Sequence, residues 1–575
     1  MIAQRSVRTV PAHSFVRIGL LLLLPLLHAL PLTAQEIDYS VANEFRYGIG
    51  EQFQNETAER KEYLENLLNA RIFVGNFRLG FRAQLDRPRE FGPDTVGITQ
   101  YFAEFQKEGL TARAGTFYHL VGRGLVFNTF ESRPVGFNTL TEGVNIDYKR
   151  DEFRGGVYGG VMNYASILDE KIVEQYLVRG AWGEARPISE IGIGASFLAA
   201  SGEKTRTGFR NEFDAYLREG YIEANADKYS LYFNWADKRT HDTIAAGLTS
   251  SPRYGTGWYG KLGYTGDFIS VTAEYKDYRF DLVRPPDRDV GTRSTRALPF
   301  QNGPTLVPEH DKTLLGRNPH TIDFNDELGF QISGIVYPSD KLTVNLLATA
   351  ASRHAAYDAV VVTDTAGAES IEHRLVGDKR LSFPELSDDR YSPYWEVFAQ
   401  GDLQVTDDLD LSLAAQRKEN IIYYDRTSVA NEEAIAERYR TTTGMVEATY
   451  QLSRANALHA IVEVQGVFDS RKISVGVDSL GITPSDGRFL NTLFTLEFSH
   501  SPQWSANARL EWTSTDKEQE GRRIWPVVGG SYRIGRSHTI AAQYGWERGG
   551  IVCTGGVCRF INPFTGFRLS IVSKL

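Results

Sequence analysis

Residues 504–512 read WSANARLEW, and this stretch decides the fold because its apolar and polar side chains alternate strictly. The apolar positions are Trp504, Ala506, Ala508, Leu510 and Trp512. The polar positions are Ser505, Asn507, Arg509 and Glu511. Successive side chains of a strand point to opposite faces, so the pattern predicts a β-strand with one apolar wall and one charged wall.

The same alternation extends through most of the chain and returns at its end. Phe567, Leu569 and Ile571 alternate there with Arg568 and Ser570. Reading alternation and turns together predicts about 24 strands, within a range of about 20 to 26. Many of these strands run to about 10–13 residues, longer than the usual strand of a soluble sheet.

Short turns and long polar connections alternate between the predicted strands. Turns rich in Asp, Asn, Gly, Ser and Pro are predicted at 225–228, 338–340, 406–407, 453–456, 500–502 and 535–537. Long connections are predicted at 281–322, 353–392, 425–437, 471–487 and 549–565. The fold class predicted is therefore all-β: one large transmembrane antiparallel β-barrel with short periplasmic turns and long extracellular loops.

The N-terminus predicts export. Arg5, Arg8 and Arg17 precede an apolar core at Ile18–Leu30, and Ala34 offers a cleavage point. The core is too short for a transmembrane helix, so residues 1–34 are predicted to be a signal peptide and residues 35–575 the barrel. An even strand count places both termini in the periplasm, and the localisation expected is the outer membrane of a Gram-negative cell.

Composition narrows the alternatives. A net charge of −9 argues against a nucleic-acid partner, and aromatic residues make up 12% of the chain, as strands favour. A soluble β-protein also alternates, but more than twenty strands in one closed sheet leave a lumen too wide for side chains to fill. The only cysteines, Cys553 and Cys558, predict a disulfide in an exported protein.

Three segments resemble a family of large Gram-negative outer-membrane proteins that is common in the Bacteroidetes–Chlorobi group. They are Gly549–Leu575, Gly115–Val144 (with FYHLVGRGLVFNTFESRPVGFNTLTEGV) and Pro304–His320 (PTLVPEHDKTLLGRNPH). The resemblance covers nearly the whole mature chain and implies an outer-membrane barrel, but no activity. The last strand also resembles the terminal strand that barrel-insertion machinery recognises, although it ends in Leu575 where Phe is usual.

Charged side chains at the polar positions are predicted to face the lumen. A basic arc comprises Arg46, Arg78, Arg82 and Arg113. An acidic arc comprises Glu274, Glu396, Glu447, Glu463, Glu497 and Glu511. Opposed arcs would create a transverse field that sets pore selectivity, whereas groups that pair locally or are simply solvated would not.

Residues 115–138 are the predicted constriction. Their glycines permit a non-strand backbone, and Leu125, Val126 and Phe127 need burial, which folding into the lumen would supply. Arg123 and Arg133 would then meet the acidic wall. An ordinary external loop is the alternative.

The connection 281–322 carries Glu309, His310 and His320, a weak candidate metal set, and is otherwise a candidate binding or gating loop. No catalytic triad, zinc-helix signature or phosphate loop occurs at diagnostic spacing, so neither an enzyme nor a cofactor is predicted. A plugged TonB-dependent transporter is also disfavoured, because strands begin by about Asn43 and leave no room for a preceding plug domain.

The function predicted is a channel or transporter for polar solutes. The alternative is a non-conducting scaffold, an export-machinery component or a surface-binding component. The partners expected are outer-membrane lipid, the insertion machinery and, in the alternative, a periplasmic or surface protein.

Overall fold

The structure is a computed structural model that describes residues 37–575, except 55–56, 93, 166–172, 207–208, 245–247, 250–251, 281–297, 364–368, 379–382, 424–433, 476–480 and 517–520. The predicted signal peptide and residues 281–297 of the long connection 281–322 lie outside the described residues. Within the described part, no helix is long and apolar enough to cross a membrane.

A single antiparallel sheet of 24 long strands closes on itself and confirms the predicted fold. The strands, β1 to β24 in chain order, are Ile37–Gln54, Thr57–Val74, Phe77–Asp86, Thr95–Lys107, Leu110–Phe117, Thr141–Lys149, Phe153–Ala165, Val173–Ile188, Ile191–Arg206, Phe209–Ala226, Tyr229–Ile244, Arg253–Thr265, Ile269–Arg279, Asp326–Ser339, Leu342–Ser352, Tyr394–Thr406, Leu409–Tyr423, Ala434–Gln451, Asn456–Val475, Gly481–His500, Trp504–Thr513, Ile524–Ile534, His538–Glu547 and Phe564–Lys574. Each strand pairs with its neighbours in sequence, and β1 also pairs with β24, where Phe45 lies opposite Ile571. A two-residue strand, Leu248–Thr249, extends the edge of β11.

Turns of two to four residues join the strands at one end of the barrel, at the places that the sequence predicts. Glu108 and Gly109 show why such turns are tight: both have positive φ, at 49° and 86°. Two consecutive residues of this kind match the twist of a hairpin. The long connections lie at the opposite end, and they include the hairpin Ala355–Thr363 with Glu369–Asp378 and a 3₁₀ turn at Asp389–Tyr391. Two connections are shorter than predicted: β18 already begins at Ala434, and the connection expected at 471–487 is mostly strand, because β19 continues to Val475 and β20 begins at Gly481.

The two faces of the wall follow the predicted alternation. On β21, Trp504 and Leu510 point outward and are 40% and 45% exposed, whereas Glu511 points inward and is 3% exposed. Leu79 and Phe81 on β3 point outward in the same way, while Arg78 and Arg82 point inward. The barrel therefore presents apolar side chains outside and buries charged ones inside.

Candidate functional site in the barrel lumen

Two segments that do not belong to the strands of the wall pack against its inward face. Residues 118–139 form the first lumen segment and residues 298–325 form the second. Both are built around apolar side chains that are almost fully buried: Val121, Leu125, Val126, Phe127, Val135, Phe137, Leu298, Phe300, Leu306, Leu314 and Leu315. The apolar cluster also includes inward side chains of the wall, so burial of this surface draws both segments inside the barrel.

The first lumen segment contacts the wall through rings and guanidinium groups. Phe127 stacks on Tyr158 of β7 at 4.6 Å between ring centroids, and the Arg123 guanidinium lies 4.9 Å from the Tyr232 ring of β11. Arg133 pairs with Glu65 at 2.9 Å and with Glu44 at 3.2 Å. The carboxylates that Arg133 meets thus belong to β1 and β2, and not to the predicted acidic arc.

Hydrogen bonds join the two lumen segments into one body. Asn128 donates to the Asn302 carbonyl at 2.8 Å, and Asn302 donates back to the Asn128 carbonyl at 3.1 Å. Gln301 donates to the Leu125 carbonyl at 3.0 Å. Gly124, at φ 84°, makes this approach possible, because a Cβ there would lie 2.4 Å from the Asn302 carbonyl oxygen.

Four acids of the predicted acidic arc bind the second lumen segment, in sequence order along it. Glu396 lies 2.5 Å from His310, Glu447 pairs with Lys312 at 2.9 Å, and Glu511 pairs with Arg317 at 2.7 Å. Glu463 accepts the backbone N–H groups of Leu314 and Leu315 at 2.7 and 3.2 Å. A buried carboxylate without such partners would be strongly disfavoured, so these four side chains specify where the segment lies.

The Glu447 contact also affects Lys312 itself. Burial alone would lower the pKa of the Lys312 ammonium group, but the hydrogen bond and charge of Glu447 outweigh burial and raise it. Lys312 is therefore a cation at any physiological pH.

The remaining acids of the arc are placed differently. Glu274 accepts a hydrogen bond from the Tyr259 hydroxyl on the neighbouring strand. Glu497 is half-buried on β20, opposite His459 and Asn507 in the strand register.

The basic arc is neutralised at close range. Arg78 and Arg113 pair with Glu104 at 3.0 and 2.6 Å, and Arg82 pairs with Glu131 at 2.7 Å. Arg46 contacts Glu65 at 3.2 Å and Glu90 at 2.9 Å. These arginines thus pair locally, which is one of the arrangements that the sequence left open.

Cys553 and Cys558 form the predicted disulfide, in the hairpin Gly550–Thr554 with Val557–Ile561. Residues 548–563, the disulfide hairpin, fold onto the lumen segments. The Gly555 N–H donates to Glu309 at 2.7 Å, and Gly556 lies against Phe324. Val557 and Cys558 are almost fully buried.

One expectation for the connection 281–322 is wrong, and the residues of its weak candidate metal set do not lie together. It was expected to be a long external connection, yet residues 298–322 lie inside, because Lys312, Arg317 and its leucines find their partners on the inward wall. The weak metal set also separates: Glu309 bonds Gly555, His310 meets Glu396, and His320 meets Glu327 at 3.3 Å. Among the residues that the structure describes, no group of three or more His, Cys, Asp or Glu side chains is placed to hold a metal.

Sequence reasoning did not predict that the second lumen segment binds the inward face of the wall, nor that Lys276 anchors it on β13. Lys276 is fully buried, pairs with Glu327 at 2.5 Å and donates to the Thr305 carbonyl. A usable indication was present, since His310, Lys312 and Arg317 place basic groups in one short segment while the later strands place acids inward.

His354 gives a testable pH dependence next to this anchor. Its ring is fully buried, with Nε2 3.2 Å from Asp277 and Nδ1 3.1 Å from Asp326. Burial alone would lower the pKa of His354, but the bonds with the two aspartates outweigh burial and raise it to about 9. The raised folded-state pKa means that the stabilisation is complete below pH 6.5 and is lost as the pH rises through about 9.

We therefore expect the free energy of unfolding to fall by about 3 kcal/mol between pH 6.5 and 9.5 through this residue. Urea titrations across that range should show a flatter profile in His354→Asn than in the wild type. His500→Asn, at a turn, is the control and should keep the wild-type slope. Equal slopes in wild type and His354→Asn would contradict the assignment.

Comparisons with known proteins place the chain in a family but give no activity. No curated protein matches the sequence. Among solved structures, the siderophore receptor PirA from Pseudomonas aeruginosa is 8% identical, with a TM-score of 0.45, over 94% of this chain and 81% of the receptor. The ferric citrate transporter FecA is 8% identical, with a TM-score of 0.42, over 94% and 79%. The PapC usher pore is 8% identical, with a TM-score of 0.35, over 94% and 99%.

Likeness at these TM-scores carries no information about activity. The family model, by contrast, covers almost the whole chain, since it matches residues 20–575. The chain belongs to DUF6029, a family of unknown function.

Proposed function

We propose that the protein is an outer-membrane transporter for polar solutes, in which the two lumen segments narrow the passage at rest. The observation that carries the proposal is the binding of residues 310–317 to four carboxylates of the wall. Such anchors hold a segment in one position, yet all of them are polar contacts that can be exchanged for water. A segment of this kind suits a gate better than a permanent filling of the barrel.

The outward apolar face and the closed sheet support the outer membrane as the location, because a closed barrel leaves no unpaired strand edge in lipid. In this orientation the short turns face the periplasm and the long connections face outward. Delivery would use the signal peptide, and insertion would use recognition of β24 by the barrel-insertion machinery.

Single-channel recording in planar bilayers tests the proposal. Wild-type protein should give small, infrequent conductance steps. A variant in which residues 305–317 are replaced by a Gly-Ser linker of equal length should give large, long-lived steps, because a 24-stranded barrel is wide. A folded variant that stays silent would argue against a transporter.

One observation favours the scaffold alternative. Apolar side chains are exposed on and beside the hairpin at the outer end, where Leu375, Val376 and Phe383 are 54%, 49% and 69% exposed. Exposed apolar surface of this kind often marks a protein contact. A scaffold predicts a co-purifying partner that is lost in the double variant Leu375→Ser with Phe383→Ser. It also predicts no conductance in the wild type or in the linker variant.

A further inference from the structure

A polar cavity of about 280 Å³ lies where the first and last strands of the barrel meet. We call it the closure cavity. Its walls come from β1, β2 and β21 to β24, and no residue of either lumen segment lines it. The polar residues that line it are Arg46, Tyr63, Asn507, Ser531, Gln543, Arg568 and Ser570. It therefore belongs to a part of the lumen that the wall alone shapes.

The two charged residues of the closure cavity are each neutralised at contact distance. Arg568 lies 3.2 Å from Glu90 and 2.9 Å from Glu547, and Arg46 contacts the same Glu90 together with Glu65. Arg133 adds a cation and Glu44 adds a carboxylate through ion pairs. The Lys61 ammonium group is a further cation beside them, and it donates to the backbone carbonyl of Glu90 at 2.9 Å. The network thus contains four cations, Arg46, Lys61, Arg133 and Arg568, and four carboxylates, Glu44, Glu65, Glu90 and Glu547.

A network with equal numbers of cations and carboxylates gives a solute ion little electrostatic stabilisation. A solute ion that enters must shed water, and paired charges give no net potential to compensate that loss. The hydroxyl groups of a solute can bind such a network, because each is both a donor and an acceptor. Each can therefore form hydrogen bonds with guanidinium, carboxylate, amide and hydroxyl groups. Neutral amide and hydroxyl groups of Asn507, Ser531 and Gln543 extend the same surface.

The part of the closure cavity that β22 and β23 form leaves room for a ring. Gly529 and Ala541 present almost no side chain there. Its volume lies at the small end of ligand sites, which start at about 300 Å³. A solute of about monosaccharide size therefore matches both its volume and its chemistry.

We propose that the closure cavity binds uncharged polyhydroxylated solutes of about monosaccharide size. This inference rests on the proposed transporter function and specifies its substrate class. It also replaces the ion-selective lumen that the charge pattern first suggested.

Three ring-shaped probes of similar size test the substrate class: glucose, its anionic relative glucuronate and its cationic relative glucosamine. Saturation-transfer NMR on the full mature chain in detergent measures binding without transport, and swelling of proteoliposomes measures transport. Glucose should give the strongest saturation transfer and enter at least about fivefold faster than either charged probe. Equal signals for the three probes, or a stronger signal for a charged one, would overturn the inference.

Arg568→Gln removes one cation from the balanced network and leaves Glu547 without its ion-pair partner. We expect this variant to shift preference toward glucosamine over glucuronate by about tenfold. Arg568→Lys keeps the charge and should keep the wild-type order, and Arg60→Gln, on the exposed end of β2, is the matched control. An unchanged order in a folded Arg568→Gln protein would also overturn the inference.

The two measurements separate the two proposals. Glucose binding without any swelling would sink the transporter while leaving the substrate class supported. Swelling at equal rates for all three probes would sink the substrate class while leaving the transporter supported.

Discussion

Replacing Glu511 with glutamine is expected to release the second lumen segment and the disulfide hairpin together. Arg317 and Arg548 meet the same carboxylate oxygen, at 2.7 and 2.9 Å, and their side chains are only 13% and 7% exposed. Glutamine keeps the shape of the side chain but removes the one charge that these two guanidinium groups share. The free energy of unfolding should fall by about 3–5 kcal/mol, as it does when one partner of a buried ion pair is lost.

Two readouts on one Glu511→Gln preparation test this expectation. Urea titration in detergent should show the loss of stability, and planar-bilayer recording should show more frequent and larger openings than in the wild type. Glu62→Gln is the control, because Glu62 is 42% exposed and its pair with Arg60 is worth at most about 1 kcal/mol. Wild-type stability with wild-type conductance in Glu511→Gln would contradict the anchoring role.

The second large effect is expected at Lys276. Its ammonium group is fully buried between Glu327, at 2.5 Å, and the Thr305 carbonyl of the second lumen segment. Lys276→Met leaves the buried Glu327 carboxylate without its nearest cation, which should cost about 3–5 kcal/mol of stability.

The double variant Lys276→Met with Glu327→Leu separates charge from packing. It removes both charges, so at least half of the lost stability should return. Urea midpoints of the wild type, both single variants and the double variant form the cycle that measures this coupling. Additive losses in the double variant would show that the two groups do not act as a pair.

The wall of the barrel was predictable from sequence because its rules are local. In WSANARLEW each side chain follows its neighbour by the period of a strand, and turns such as Gly535–Ser537 carry their own backbone preferences. Faces could therefore be assigned residue by residue, and Glu511 and Arg78 point inward as the pattern indicates.

The partners of those inward charges were not predictable in the same way. Glu463 and Leu314 meet across 149 residues of sequence, and Glu447 and Lys312 across 135. No periodicity reports a contact between a strand and a non-strand segment so far away in the chain. The first lumen segment was easier to suspect, because Val126 and Phe127 are apolar residues in a glycine-rich stretch that cannot continue a strand.

Cross-linking in the outer membrane of living cells tests most directly whether the second lumen segment occupies the barrel. The Lys312 side chain meets Glu447 of β18 at 2.9 Å, so Lys312→Cys with Glu447→Cys places two thiols on side chains that face each other. The pair is made with Cys553 and Cys558 changed to serine and is treated with a short bifunctional methanethiosulfonate reagent. Thr449→Cys with His459→Cys, opposite each other on the inward face of β18 and β19, is the control for reagent access to the lumen. Efficient linkage of both pairs is the predicted result, and linkage of the control pair alone would contradict the account.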